Sequence, residues 1–398
     1  EEARLVVIYA GNRDLRPFIT KLMGDISDVR VVDNVHPTAS SEHIGPLQTA
    51  LEDLYVEERM SRAPGVEALS AWSRVPFVPA ATAFSRVIDF LWHREGNTDR
   101  GVLGVDVGGA TTSIAAEFDG WPYLSIYKHG VAKGLRDWLA AHEVERLMRW
   151  IPEEMDVDTM RAILYNTELH PGTVPQTSEE LWVAMALVRE MLRSALEKAR
   201  PAWDVKEAYL TGGLMPRLDP IVVSGGGIVH TPRPGQALLA ILDGLQPVGI
   251  STVFLDVNHA APALGAVAGI KPVAAASALE AGTLASLGTV ISPVGRGSDG
   301  DTALHINIAY ESGGELDVEA KYGDLEIWPL LPGERATLEI RPVRRFNVGM
   351  GGGHGGKVEV LGGLLGIVVD ARGRPLQLPE DPDARRRAVK GWIWDVGG

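Results

Sequence analysis

The chain opens on an apolar run at 5–9, Leu-Val-Val-Ile-Tyr, with the length and β-branched content of a buried strand. Similar runs stand at 29–32 and 102–107. The stretches between them, 15–23, 46–60 and 81–92, repeat apolar residues at helical spacing. Strand and helix therefore alternate to about residue 120, the rhythm of an α/β domain with a central sheet. The segment Asp33-Asn34-Val35-His36-Pro37 ends the second strand in a turn. After Asp106 the order changes. Residues 113–118 alternate as a strand, Asp119-Gly120 is a hairpin turn, and 121–127 reads as the returning strand. Helices are expected at 135–150 and 178–199, the second with Leu181, Ala184, Leu187, Val188, Met191 and Leu192 on one face. A strand at 221–223, a glycine turn at 224–227, a helix at 235–245 and a strand at 253–255 follow.

Beyond about residue 271 short strands at 304–310, 325–330, 336–340 and 357–360 are punctuated by glycine and proline, which predicts a mostly-β C-terminal domain. The glycine run 349–356, interrupted by Met350 and His354, predicts a mobile loop. The expected domains are the remainder of a first α/β lobe at 1–100, a second α/β lobe at 101–270, and a β-rich domain at 271–398. The strand pattern starts so soon after Glu1 that a fragment of a longer protein is expected.

With 398 residues, 45% of them hydrophobic, the chain can bury a large core. A formal net charge of -14 disfavours nucleic acid and anionic membranes as partners, because both bind clustered Lys and Arg. Zero cysteines exclude disulfides, thiolate metal sites and a Cys nucleophile, and fit a cytoplasmic location. The longest apolar stretch, 260–294, is broken by Lys271, Pro272 and Glu280, so no membrane span is expected.

The candidate chemistry lies in Asp106-Val107-Gly108-Gly109-Ala110-Thr111-Thr112. A phosphate needs several backbone N–H donors converging on one point, which residues without bulk permit. Gly108, Gly109 and Ala110 supply them, and Thr111 and Thr112 add hydroxyls. Asp106, at the end of the preceding strand, is placed to hold Mg2+ through water. The loop joins strand to strand and lacks a P-loop lysine, which sets aside P-loop and Rossmann sites. Ser224, Gly225, Gly226 and Gly227 follow a second buried strand and let an adenine or ribose approach the backbone; a plain strand-to-helix turn fits them equally well.

The Asp106–Thr112 motif resembles the second phosphate motif of the actin, Hsp70 and sugar-kinase ATPases, and more narrowly the glutamate mutase accessory family called MutL or GlmL, which is unrelated to the mismatch-repair protein of similar name. Ala10-Gly11-Asn12, Asp33-Asn34-Val35-His36-Pro37 and the 224–233 segment with His230 are similar to that family's segments, as are Leu242-Asp243-Gly244-Leu245-Gln246-Pro247 and Leu264-Gly265-Ala266. The 366–375 segment resembles the extension of longer members. The resemblance implies α/β actin-like, ribonuclease H-like lobes with mixed sheets and a C-terminal mostly-β domain. It also implies ATP and Mg2+ as cofactors and a chaperone-like role in reactivating an adenosylcobalamin-dependent mutase, with the mutase subunits as partners. The superfamily's first phosphate loop has no counterpart in the chain, and Ser113 stands where many relatives carry a second acid. Hydrolysis is therefore expected to be slow or absent.

Two rival functions remain open at this point: a small-molecule kinase or ATP-dependent amidohydrolase subunit, and a structural module with a vestigial nucleotide site. Other polar clusters read as structural. His129, His142 and His170 lack the i, i+4 spacing of a helical metal pair, and for His230, His259 and His354 a structural role also leads. Asp256 ends a strand near the proposed cleft or caps the next turn. Glu153, Glu154, Asp156 and Asp158 suit a loop and helix start, and Arg385-Arg386-Arg387 a solvated tail face.

Overall fold

In the computed structural model the described residues are 5–38, 44–73, 77–95, 99–203, 205 and 210–397. They group into two compact units, Glu1–Ala80 and Ala81–Gly398.

In the first unit β1 (Leu5–Tyr9) lies parallel to β2 (Ser27–Val31), and α1 (Arg16–Met23) is the crossover that a parallel pair requires. Asn12 caps the 3-10 turn before α1 by accepting from the Asp14 N–H at 2.9 Å. Arg16 donates to the Val32 carbonyl at 3.0 Å and pairs with Asp33 at 3.1 Å, which holds the turn after β2. The helix expected over 46–60 is α2 (Gly45–Tyr55) running into a π turn at Val56–Met60, and α3 (Val66–Trp72) follows.

The second unit begins with α4 (Ala80–Glu95), then the meander β3 (Gly101–Val107), β4 (Thr112–Phe118) and β5 (Trp121–Tyr127). Helices α5 (Leu135–Ala141), α6 (Glu145–Met148), α7 (Val157–Leu169) and α8 (Ser178–Ala199) come next. A small pair, β6 (Leu210–Thr211) and β7 (Met215–Pro216), precedes β8 (Leu218–Ser224), α9 (Gly226–Val229), α10 (Pro234–Leu245) and β9 (Gly249–Leu255). Helices α11 (Ala261–Ala268) and α12 (Pro272–Glu280) lead to β10 (Ala285–Ser292) and β11 (Val294–Gly295). The rest is β12 (Thr302–Tyr310), β13 (Glu315–Lys321), β14 (Leu325–Trp328), β15 (Arg335–Pro342), β16 (Phe346–Asn347), β17 (Gly356–Leu361), β18 (Gly366–Asp370) and α13 (Pro382–Asp395).

One sheet of eight strands, in the order β14-β18-β10-β9-β8-β3-β4-β5, organises this unit. Strands β3, β8 and β9 run parallel, while β4 and β5 fold back antiparallel. The fold is α/β of the actin-like kind, with a β-rich C-terminal region. Helices α8 and α10 bury one face, where Leu103, Val105, Val107, Ile221, Val223 and Val253 are all in the core. Helix α4 covers the other, setting Phe84, Val87, Ile88 and Leu91 against Val102, Ala115 and Val222. Covered on both faces, β3 and β8 read as continuous apolar runs rather than alternating ones.

The units divide at Ala80, not near 100, because α4 packs its apolar face on the β3–β4 sheet. No break falls at 271 either: β10, β14 and β18 complete the eight-stranded sheet, and only β13-β12-β15-β17 form a sheet of their own. The single helix expected over 135–150 is interrupted at His142, whose backbone is extended and whose ring stacks on Trp138 at 4.5 Å. The break lets α6 bring Arg146 to the buried Glu190 of α8 at 3.0 Å, beside the Trp150 Nε1–H that donates to it at 2.7 Å. The glycine run is pinned by Asn347, whose side-chain oxygen accepts from Gly349 at 2.8 Å and Gly351 at 3.0 Å.

Under α4, Glu117 of β4 is 1% exposed. Burial, with the Asp89 carboxylate beside it, pushes the Glu117 carboxyl up to about 8 from an ordinary 4.5. Between those values the folded chain holds a proton that the unfolded chain has released, so stability falls as pH rises. Denaturation midpoints followed from pH 4.5 to 8 without metal are expected to fall in the wild type. They should flatten in Glu117→Gln.

Candidate functional site

Strands β3, β8 and β9 end together, and the period of two along each strand decides which side chains meet there. Val105 and Val107, Val223, and Val253 and Leu255 point into the core under α8 and α10, so Asp106, Ser224 and Asp256 fall on the opposite face. The register sets Asp106 between Ser113 of β4 and Ser224 of β8. Val223 is opposite Leu255, which brings the following residues, Ser224 and Asp256, side by side, and the Ser224 hydroxyl donates to Asp256 Oδ2 at 2.9 Å. A polar row thus crosses four strands.

The loop from β3 to β4 is closed by the Gly108 N–H donating to the Thr111 carbonyl at 2.9 Å. Its carbonyls are consumed by the strap after β5: Gly108 accepts from Val131 at 3.1 Å, and Gly109 from Ala132 at 2.8 Å and Lys133 at 2.7 Å. The strap passes so close that a Cβ on Gly130 would sit 2.2 Å from the Gly108 oxygen. Among the described residues the N–H groups of Gly109, Ala110 and Thr111 donate to no carbonyl, and all three residues are exposed. These are successive free backbone donors, which is what an anion requires.

Thr112 differs from the expectation that it offers a hydroxyl to phosphate. It is fully buried on the α8 face of β4, and its hydroxyl donates to the His129 carbonyl at 3.0 Å. Of the two threonines, Thr111 alone faces solvent.

Across the row, the backbone at Gly225 adopts φ +95° and ψ 141°, open to glycine and little else. A Cβ there would lie 2.4 Å from the Val107 carbonyl oxygen and 2.5 Å from Asp106 Oδ1. The turn therefore exists because residue 225 has no side chain, and it packs the second glycine segment directly on Asp106. Gly226, exposed, and Gly227, half-buried, start the single turn α9. The structure brings together Asp106, Gly108–Thr111 and Ser224–Gly227, far apart in the chain.

Burial pushes the Asp106 carboxyl above its ordinary range; the nearby His259 imidazole pulls it back, and the Asp256 carboxylate adds to the rise. A group so placed is short of positive charge. Asp256 itself is committed, since its two oxygens accept from Ala260 and Ala261 at 2.8 and 3.0 Å at the start of α11, in addition to Ser224. It is the cap that its strand-end position predicts. His230 and His259 meet with their Nε2 atoms 3.3 Å apart, a pairing that a sequence separation of 29 hides.

The remaining polar clusters are structural. His129 is buried with Nδ1 3.2 Å from the Gly134 carbonyl, Asp156 caps α7 through the Thr159 N–H at 2.8 Å, and Glu153 pairs with Lys390 at 2.9 Å. The strap at 129–134 was invisible in sequence, because nothing but its glycines marks it. Among the described residues no helix is long and apolar enough to cross a membrane.

No curated protein matches the chain. The family model described as MutL protein matches residues 1–282, which include the β3–β4 loop, the Gly225 turn and Asp256. With well over half its length matched, the chain belongs to the MutL family of glutamate mutase accessory proteins.

Proposed function

We propose that the protein is a nucleotide-binding accessory factor that reactivates an adenosylcobalamin-dependent mutase, with ATP and Mg2+ held at the ends of β3 and β8. The observation that carries this reading is the Gly225 turn, which lays one glycine segment on Asp106 while the free N–H groups of residues 109–111 lie at the end of the same strand. Membership of the MutL family supports a glutamate mutase as the partner.

The residues present fit the nucleotide. Gly109, Ala110 and Thr111 offer backbone donors, and Thr111 a hydroxyl, for phosphate oxygens. Asp106 accepts no hydrogen bond among the described residues, so its carboxylate is open to orient a water on Mg2+. Gly226 and Gly227 leave the backbone bare for an adenine or ribose. Bound Mg2+ supplies the positive charge that Asp106 lacks and screens the phosphates. Ser113, opposite Asp106, cannot act as a second carboxylate, which favours slow hydrolysis and a role for nucleotide state in setting the grip on a partner.

The test is calorimetry with Mg-ATP, together with mutase affinity measured with and without nucleotide. Binding near the micromolar range, roughly -8 kcal/mol, is expected. Asp106→Ala should weaken its Mg2+ dependence about tenfold or more while leaving the fold intact. The idea fails if wild-type protein binds no Mg-ATP, or if nucleotide leaves mutase affinity unchanged.

A further inference from the structure

The far end of β4 holds a second cluster that the nucleotide reading does not use. Glu117 pairs with Val102 near the start of β3, five residues along β4 from Thr112. At ~3.3 Å per residue that is about 17 Å from the glycine loop. Glu117 is buried, and no donor among the described residues reaches either of its carboxylate oxygens; its neighbour is the Asp89 carboxylate, with which it can share only its own proton. Left ionised, a carboxylate so buried would cost several kcal/mol, so without a cation it is held protonated.

What faces it comes from α4. Asp89 and His93 are one helical turn apart, on one face of the helix, and both are open to solvent. His93 Nδ1 is 3.1 Å from Asp89 Oδ1 and 3.9 Å from Glu117 Oε1, and one ligand atom from each of the three residues lies within 4.8 Å of the others. Donors around a tetrahedral ion at ~2.0–2.2 Å stand about 3.4 Å apart. The cluster is thus near ligating geometry before any adjustment. Closing it requires the exposed imidazole to give up its contact with the Asp89 carbonyl at 2.9 Å.

We propose that Asp89, His93 and Glu117 form a site for one divalent transition-metal ion, of which Zn2+ is the representative. An imidazole with two carboxylates selects such an ion over Mg2+, which takes oxygen ligands in an octahedron. The open side of the cluster leaves one position for water. The ion ties α4 to β4 and lies apart from the nucleotide end, so it serves structure rather than phosphate chemistry.

Untagged protein titrated with Zn2+, and with Co2+ as a spectroscopic probe, tests this. One ion per chain, a raised melting temperature, and a Co2+ absorption band of N/O ligation are expected. Glu117→Gln, which preserves shape, and His93→Ala should each lower affinity at least a hundredfold, while Asp106→Ala leaves it unchanged. Absence of stoichiometric binding to the wild type, or binding that survives both Glu117→Gln and His93→Ala, overturns the proposal. Folding of each variant is read from its circular dichroism, and Glu117→Gln is expected to be no less stable than wild type without metal.

Discussion

Asp370→Ala is expected to destabilise the protein by about 3–5 kcal/mol, because it removes one partner of a buried ionic cluster. Asp370 ends β18 with no exposure. Arg372 grips it in a fork, Nε at 2.8 Å from Oδ1 and Nη2 at 2.9 Å from Oδ2, and Arg374 Nη2 reaches Oδ2 at 2.5 Å. Arg372 also lies 2.9 Å from Asp243 of α10, which Arg189 of α8 meets at 2.7 Å, and its guanidinium sits over the Trp392 ring at 4.6 Å. Without Asp370, Arg189 and Arg372 would share the single carboxylate of Asp243, and Arg374 would keep only the Pro247 and Gly373 carbonyls and the Ser292 hydroxyl. Burial by itself would raise the Asp370 pKa, but Arg372 and Arg374 overcome it and hold the carboxyl well below its ordinary range. The unfolded chain therefore takes up the proton first on acidification. The cluster's contribution is complete above about pH 4, the unfolded value, and is lost as pH falls toward the lower folded one. Urea denaturation at neutral pH measures the loss, and a series from pH 5 downward should be less steep in the variant. A change under about 1 kcal/mol would mean that the cluster is dispensable.

The second large effect is expected at Gly225. Gly225→Ala places a methyl group 2.4 Å from the Val107 carbonyl and 2.5 Å from Asp106 Oδ1, in a backbone conformation that L residues avoid. Strain and overpacking together should cost about 3 kcal/mol or more, and Mg-ATP binding should be lost because Asp106 is displaced. Gly226→Ala separates the two effects. A Cβ there meets nothing nearer than the His230 ring at 3.5 Å and needs no unusual φ, so stability should stay within about 0.5 kcal/mol. A lower nucleotide affinity in Gly226→Ala would place the base or ribose against that backbone. Unchanged stability in Gly225→Ala would remove the case for a forced approach of β8's end to Asp106.

Much of the fold was legible because buried parallel strands and amphipathic helices are strong local signals. The β3–β4–β5 meander followed from Asp119-Gly120 between two alternating runs, and α8 from its apolar stripe. The division of the chain was less legible. Helix α4 was periodic enough to be found, but which sheet its apolar face covers depends on contacts with Val102, Ala115 and Val222. The His142 break was hidden for the same reason, since Glu190, toward which α6 turns, lies more than 40 residues on.

By itself the sequence determined the kinds of element and the chemical vocabulary of the site: an acid before two glycines, threonines after them, and a second glycine turn beyond another buried strand. These depend on neighbours in the chain, where side-chain period and glycine's freedom act directly. Only the tertiary structure decided which of those groups face one another. Strand register set Asp106 beside Ser113 and Ser224, the strap at 129–134 consumed the Thr112 hydroxyl, and sheet order carried β10, β14 and β18 into the main core. The same holds for Glu117, Asp89 and His93. Pairing across a sheet and packing of a helix upon it are long-range events whose energy comes from burial, and burial has no signature at any single position.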